Sequence, residues 1–392
     1  MKKIAVVGLY TIKNVGDNIL CEVTQYLLKK NNPEVEFVKV DVNPIAKKFK
    51  GLSRIPFAIS KVMAKFSTYL FTYEKAGRFR YMYEYFMWWI KVNRRFKKAL
   101  KDVDAIVFAG GGFLKFRTQG LNYYVEQIIR IADKNNIPVM MNGVGIEGYS
   151  EEDIRCQKMK KMINKDCVKV ITTRDDIDIL RNDYIVNPNI QISRVGDPAL
   201  WVSECYGIQR EESNNVVGIN VIRGRIYQAY GNHLSEMQLI NFYKKLILGI
   251  EKRGWEWVLF SNGMRADNVF GKRLLAALKN KASGRMLPVY KSIGGYLEVI
   301  KEFKCVFGAR LHACITAYAL DVPVVGLIWN EKLQIFSEVI GKPQNFFTEE
   351  QMDVEAILDA MEKSFDDSYD KEIRNNLMNL TQEYVDKFME MI

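Results

Sequence analysis

Only two histidines occur in this 392-residue chain, and one of them, His312, follows Arg310 by two positions in Phe307-Gly308-Ala309-Arg310-Leu311-His312. The apolar run 303–307 reads as a buried strand, and the small-residue stretch 312–320 reads as a helix. Arg310 and His312 then stand at a strand's carboxyl end beside a helix N-terminus, where open α/β sheets bind ligands. A guanidinium with free helical N–H groups makes an anion site. An imidazole beside it suggests acid–base chemistry on a phosphate or carboxylate. Local sequence alone fits a structural arginine and a satisfied histidine equally well.

The neighbouring strand ends favour the chemical reading. Strand 216–221 leads to Arg223, strand 257–260 to Ser261-Asn262-Gly263, and strand 324–328 to Trp329-Asn330-Glu331-Lys332. Three cations and an imidazole converge, with no nearby Asp except Asp267. Such a set suits a small, multiply charged anion such as phosphoenolpyruvate, a nucleoside diphosphate or a phosphosugar. The first half offers backbone instead. Asn14-Val15-Gly16-Asp17-Asn18 leads into a helix, with Asp17 or Asn18 as its cap or Asp17 as an acid or base near a sugar hydroxyl. Gly110-Gly111-Gly112 allows close ligand approach or a tight turn. Gly143-Val144-Gly145-Ile146-Glu147-Gly148 fits G-x-G-x-x-G, but it follows a mid-domain strand and lacks the acidic residue a dinucleotide site needs; a backbone wall is expected instead. Arg174 either binds an anion or belongs to the cap of the next helix.

Strand-like runs alternating with helical periodicity position these residues, the mark of doubly wound sheets. Strands are predicted at 4–8, 35–40, 105–108, 139–142, 168–172 and 191–195, with helices at 18–30, 121–135, 151–164 and 177–182. A polar stretch, 203–215, reads as a linker. A second series follows, with strands at 216–221, 257–260, 305–307 and 324–328 and helices at 236–253, 267–282 and 296–302. The expected architecture is α/β and GT-B-like: two Rossmann-like doubly wound domains, 1–203 and 204–368, facing across a cleft. A terminal helix, 369–392, should pack back through Ile373, Leu377, Leu380, Tyr384 and Phe388.

Net charge is +11, and its excess is local. Between 46 and 100 there are 14 Lys/Arg against 2 acids and 14 of the 47 aromatics, so the remainder is near neutral. This insertion reads as packing helices with a solvated basic face, or as a helix pair meeting anionic lipid headgroups. A nucleic-acid role would also require a recognised motif, and none is seen. No apolar run reaches the ~18 residues of a membrane span, and no signal peptide is evident. Six scattered cysteines without a Cys-x-x-Cys read as buried residues of a cytoplasmic protein, not as a metal site. P-loop, nucleophile-elbow and His–Glu metal motifs are lacking. His233, in a polar approach to a helix, is expected on a loop surface.

Read in order, the motifs resemble those of the polysaccharide pyruvyl transferase family. The matching pieces are Asn14-Val15-Gly16-Asp17-Asn18, Gly110-Gly111-Gly112, Gly143-Val144-Gly145-Ile146, Thr173-Arg174-Asp175, Gly196-Asp197-Pro198-Ala199, and Arg310-Leu311-His312 with Pro323-Val324-Val325-Gly326 and Lys332. The resemblance implies a GT-B-like enzyme that moves pyruvate from phosphoenolpyruvate onto two hydroxyls of a sugar. A cyclic ketal forms and phosphate leaves. On that reading His312, Arg310, Lys332 and Asp17 are catalytic. Arg223, Asn14, Gly16, Gly111, Gly112, Gly145, Arg174, Asn262 and Leu311 bind substrate, and no metal or other cofactor is called for. The implied acceptor belongs to exopolysaccharide or capsule synthesis, with an undecaprenyl-diphosphate-linked form among the candidates. Segment 46–100 would then bring a cytoplasmic enzyme to the inner membrane face. The competing reading is a GT-B glycosyltransferase with a nucleotide-sugar donor.

Overall fold

The computed structural model describes residues 1–11, 13–42, 93–115, 121–210, 213–278 and 284–392. Most of the basic aromatic segment 46–100 therefore lies outside the described residues. The chain divides into two compact units. The first comprises 1–12, 20–198 and 377–392; the second comprises 13–19 and 199–376.

In the first unit, strands β1 (Lys3–Gly8), β2 (Glu36–Asp41), β3 (Ala105–Leu114), β4 (Val139–Ile146), β5 (Val168–Thr173) and β6 (Gln191–Arg194) form one parallel sheet in the order β2-β1-β3-β4-β5-β6. Central strands of such a sheet are covered on both faces, which is why residues 4–7 and 105–108 are continuous apolar runs with no exposure. Helices Asn122–Lys134 and Ile154–Ile163 contribute Ile128, Ile129, Met159 and Ile163 to the core on one side.

Two glycine motifs expected in loops lie inside strands. β3 continues through Gly110-Gly111-Gly112 to Leu114, and β4 through Gly143 and Gly145 to Ile146. The register shifts between Gly111 and Leu114, and Gly110, Gly111 and Gly143 have φ of 57°, 77° and 56°. An irregular strand needs residues tolerant of positive φ, so glycine prolongs these strands rather than ending them.

Helix Lys371–Glu390 closes the first unit, but its buried face is offset from the predicted one. Thr381, Gln382, Val385, Phe388 and Met389 face inward, whereas Leu380 is exposed. Hydrogen bonds decide that rotation. Thr381 Oγ1 donates to Gly196 O at 3.1 Å, and Gln382 Nε2 donates to Leu27 O at 3.2 Å.

In the second unit, β7 (Val216–Asn220), β8 (Glu256–Phe260), β9 (Cys305–Gly308), β10 (Val324–Leu327) and β11 (Phe346–Phe347) form a parallel sheet in the order β11-β10-β9-β7-β8. Chain direction across the sheet reverses between β7 and β9. That is the topological switch point, where ligands bind beyond the carboxyl ends. Edge strand β11 and helices Glu331–Val339 and Val354–Phe365 extend the predicted series. All six cysteines are unbridged, and burial pushes the Cys305 thiol up to about 12. No helix among the described residues is long and apolar enough to cross a membrane.

Candidate active site

β9 delivers the central pair. Its four residues are buried, and Arg310 then adopts extended backbone (φ −123°, ψ 130°) as the residue before helix Leu311–Ala319. Leu311 and His312 occupy the first helical turn, both half-buried. Thr316 Oγ1 donates to the His312 carbonyl at 2.6 Å and lies 3.3 Å from Tyr296 Oη, tying that turn to the neighbouring helix.

Arg310 and Arg223 share one carboxylate. Asp267, fully buried in the first turn of helix Arg265–Ala277, accepts Arg310 Nε at 3.0 Å and Arg310 Nη2 at 2.7 and 2.6 Å. Its Oδ1 also accepts Arg223 Nη1 at 3.2 Å and the Arg223 backbone N–H at 3.4 Å. The arginines come from beyond β7 and β9, so they straddle the switch point. Their side chains remain 25% and 17% exposed against 0% for Asp267, so the carboxylate is sealed beneath while the cations reach the surface. One negative charge against two positive charges leaves the group cationic. The expected all-cation cluster is thus a tethered one, and Asp267, the nearby acid, proves to be its anchor.

Trp329, beyond β10, supports Arg310 from another side. The Arg310 guanidinium carbon is 5.5 Å from the indole centroid, within cation–π range, and Trp329 Nε1 donates to Ala309 O at 2.6 Å. Lys332 follows in the first turn of helix Glu331–Val339, capped by Asn330, and is 8% exposed. Sequence reasoning missed the Asp267 anchor and the Trp329 stack. Both residues already stood beside predicted strand ends.

The segment 13–19 belongs to the second unit and forms a wall of this site. The helix begins at Val15, so Asn14 rather than Asp17 or Asn18 precedes it, and Asp17 lies inside the first turn. Asn14 Nδ2 donates to Asp17 Oδ2 at 2.7 Å. Val15 N–H donates to Asn262 O at 2.8 Å, while Asn262 Oδ1 accepts Asn220 Nδ2 at 3.0 Å. A Cβ at Gly16 would overlap the His312 ring. Glycine is required there so that the backbone can lie against the imidazole. Gly16→Ala should therefore displace His312; with the imidazole as the acid expected from the sequence, kcat/KM should fall about 100-fold, the usual scale for misplacing a reacting group. Steady-state kinetics beside a thermal melt check this, with a smaller effect on stability than on turnover.

Four other expected site residues belong to the first unit. Gly111, Gly112 and Gly145 are strand residues of the first unit. Arg174, also in that unit, is half-buried and ion-paired to Asp197. His233 is 87% exposed, on the surface as expected.

A family model for polysaccharide pyruvyl transferase matches residues 14–331, from the Asn14 loop to the residue before Lys332. The chain belongs to the polysaccharide pyruvyl transferase family. No curated protein matches it. Among solved structures it is similar to the UDP-GlcNAc 2-epimerase of Methanocaldococcus jannaschii, with TM-score 0.58, 11% identity and full coverage of both chains. It is also similar to the UDP-GlcNAc 2-epimerase of Neisseria meningitidis, with TM-score 0.53, 12% identity and full coverage of both chains. The trehalose-phosphate synthase of Burkholderia vietnamiensis gives TM-score 0.53 and 10% identity, covering 99% of this chain and 98% of that one. At such identities the likeness establishes the fold, which is GT-B. A pyruvyl transferase family member thus carries its tethered arginines and its histidine on the second sheet of that fold.

Proposed function

We propose that this pyruvyl transferase family member uses phosphoenolpyruvate as donor and closes a cyclic ketal on two hydroxyls of one sugar. The observation that supports this most is the Arg310–Asp267–Arg223 group straddling the switch point, with His312 two residues beyond Arg310. A substrate with both a carboxylate and a phosphate suits two guanidiniums held side by side by charge-assisted hydrogen bonds. Lys332, from the next strand end, is the third cation assigned to the donor.

His312 is assigned as the general acid. It gives a proton to the methylene carbon of phosphoenolpyruvate, and a sugar hydroxyl bonds to the adjacent carbon and releases its own proton to solvent, from which the imidazole regains one. Phosphate then departs as the second hydroxyl attacks, and that hydroxyl's proton leaves with it. The products are a ketal bearing one methyl and one carboxylate, plus inorganic phosphate. The two steps are an addition across the double bond and a substitution at the same carbon, with no change in overall oxidation state, so the proposal calls on no metal or redox cofactor. Asp17, held by Asn14, is assigned to orient or deprotonate an acceptor hydroxyl. The acceptor is proposed to be a sugar of a surface polysaccharide, exopolysaccharide or capsule, or its lipid-diphosphate-linked precursor.

Phosphate release from phosphoenolpyruvate with a panel of synthetic and lipid-linked disaccharides tests this reading. The expected product gains the mass of a pyruvyl ketal. Turnover of a nucleotide sugar in place of phosphoenolpyruvate would instead establish a glycosyltransferase. The basic aromatic segment 46–100 supports a second expectation, binding to an anionic membrane surface. Sedimentation with phosphatidylglycerol vesicles should be strong at low salt and lost at high salt. Failure to sediment at low salt removes the membrane role.

A further inference from the structure

A groove of about 780 Å³ opens on the second unit, between helix Arg265–Ala277 and the segment 284–289. Its volume lies in the range of small-molecule sites. The segment is held by a parallel bridge to β8: Leu259 N–H donates to Arg285 O at 2.8 Å, and Leu287 N–H to Leu259 O at 2.9 Å. Gly271 admits the Met286 side chain against the helix, since a Cβ there would come within 2.7 Å of it. The groove is therefore built by backbone pairing and close packing.

Its lining has a distinct chemistry. Lys13, Arg265 and Lys272 all border it, and no carboxylate is among the described residues that line it. Arg310 and Arg223, by contrast, are both tethered by Asp267. Between the cations lies apolar surface. Val269 and Val289, each 41% exposed, are two of nine well-exposed large apolar side chains among the described residues, and both line this groove. Free cations beside exposed valines suit an amphiphile: a phosphate group joined to an apolar chain. A nucleoside diphosphate fits less well, because a ribose diol is usually held by a carboxylate.

The groove shares two chain segments with the active-site wall. Gly263 lines it and follows Asn262, whose carbonyl accepts the Val15 N–H; Lys13 lines it from the other side of that link. The Lys13 carbonyl lies 2.9 Å from where a Gly263 Cβ would stand, so the two segments pack directly. Gly16, three residues from Lys13, lies against His312.

We propose that this groove seats the diphosphate and first apolar units of a lipid-linked acceptor, with Lys13, Arg265 and Lys272 on the diphosphate and Val269 and Val289 along the chain. The assignment rests on the pyruvyl-transfer reading only for what the ligand is used for. Binding of the ligand stands apart from that reading and is measured without turnover.

The test is calorimetry on the full-length chain with farnesyl diphosphate below its micelle concentration, inorganic pyrophosphate, farnesol and UDP. Farnesyl diphosphate should bind at least tenfold tighter than each of the other three. Lys272→Glu should weaken it at least tenfold, and Val269→Asp should do so independently, both with unchanged melting temperature because the two side chains are exposed. Equal affinity for pyrophosphate would mean an anion patch with no chain subsite and would overturn the proposal. Tighter binding of UDP, or farnesyl diphosphate affinity indifferent to both variants, would overturn it as well. If phosphoenolpyruvate supports no phosphate release with any acceptor while farnesyl diphosphate still binds through Lys272 and Val269, the catalytic reading fails and the groove assignment stands.

Discussion

Replacing His312 with alanine or glutamine should lower phosphate release from phosphoenolpyruvate by about 10²–10⁴-fold, the range for loss of a positioned general acid. The imidazole lies in a helix's first turn against Gly16, and its neighbour Arg310 keeps its carboxylate partner whether or not the imidazole is present. Both variants should therefore fold and still bind the donor, so the loss should appear in kcat with the phosphoenolpyruvate KM little changed. Glutamine preserves bulk and hydrogen bonding but has no proton to give at neutral pH, so it should be no better than alanine. Near wild-type kcat in either variant would remove His312 from the chemistry.

Asp267→Ala should be nearly as damaging to turnover, and more damaging to the fold. The carboxylate is fully buried and accepts five hydrogen-bond contacts from Arg223 and Arg310. Removing one partner of a buried ion pair costs about 3–5 kcal/mol, because charge is left without compensation. Two guanidiniums would be stranded here, one from each side of the switch point. Thermal unfolding should shift markedly, and the phosphoenolpyruvate KM should rise as the arginines lose their fixed spacing. Asp267→Asn separates the two effects: it keeps one acceptor oxygen and the volume, but it turns an N–H toward a guanidinium. It should melt closer to wild type and still show the raised KM. An unchanged KM in Asp267→Asn would reduce the carboxylate to a purely structural role.

Much of this could be read before any coordinates. Apolar runs alternating with helical periodicity placed the strands of both sheets close to where they lie, because parallel strands covered on both faces have little freedom in composition. Arg223, Arg310 and His312 were legible as strand-end residues for the same reason. Partnership was not. Asp267 was visible as an acid near the cations, but its burial beneath two arginines depends on how three loops meet. The pairing of Arg174 with Asp197 was equally hidden, because the two lie 23 residues apart in sequence. The glycine motifs misled in a different way. Composition marks Gly110, Gly111 and Gly143 as conformationally free, yet it cannot separate a turn from an irregular strand, and here pairing with the neighbouring strand prevails. Similarly, helical periodicity alone put Leu380 inside, whereas Thr381 and Gln382 turn the last helix toward their carbonyl partners.

The wall against His312 also bears on how the protein is made. Gly16 and His312 are about 300 residues apart along the chain, and such long-range contacts form late. The second unit takes residues 13–19 from the start of the chain, and the first takes 377–392 from its end. Neither unit corresponds to one continuous stretch that a ribosome could finish and release to fold alone. A fragment beginning at 199 would contain Arg223, Asp267, Arg310 and His312 and still lack the glycine that the imidazole rests on. Truncation at either end should thus cost more than the few residues removed, and nascent chains remain incomplete until the last helix has emerged.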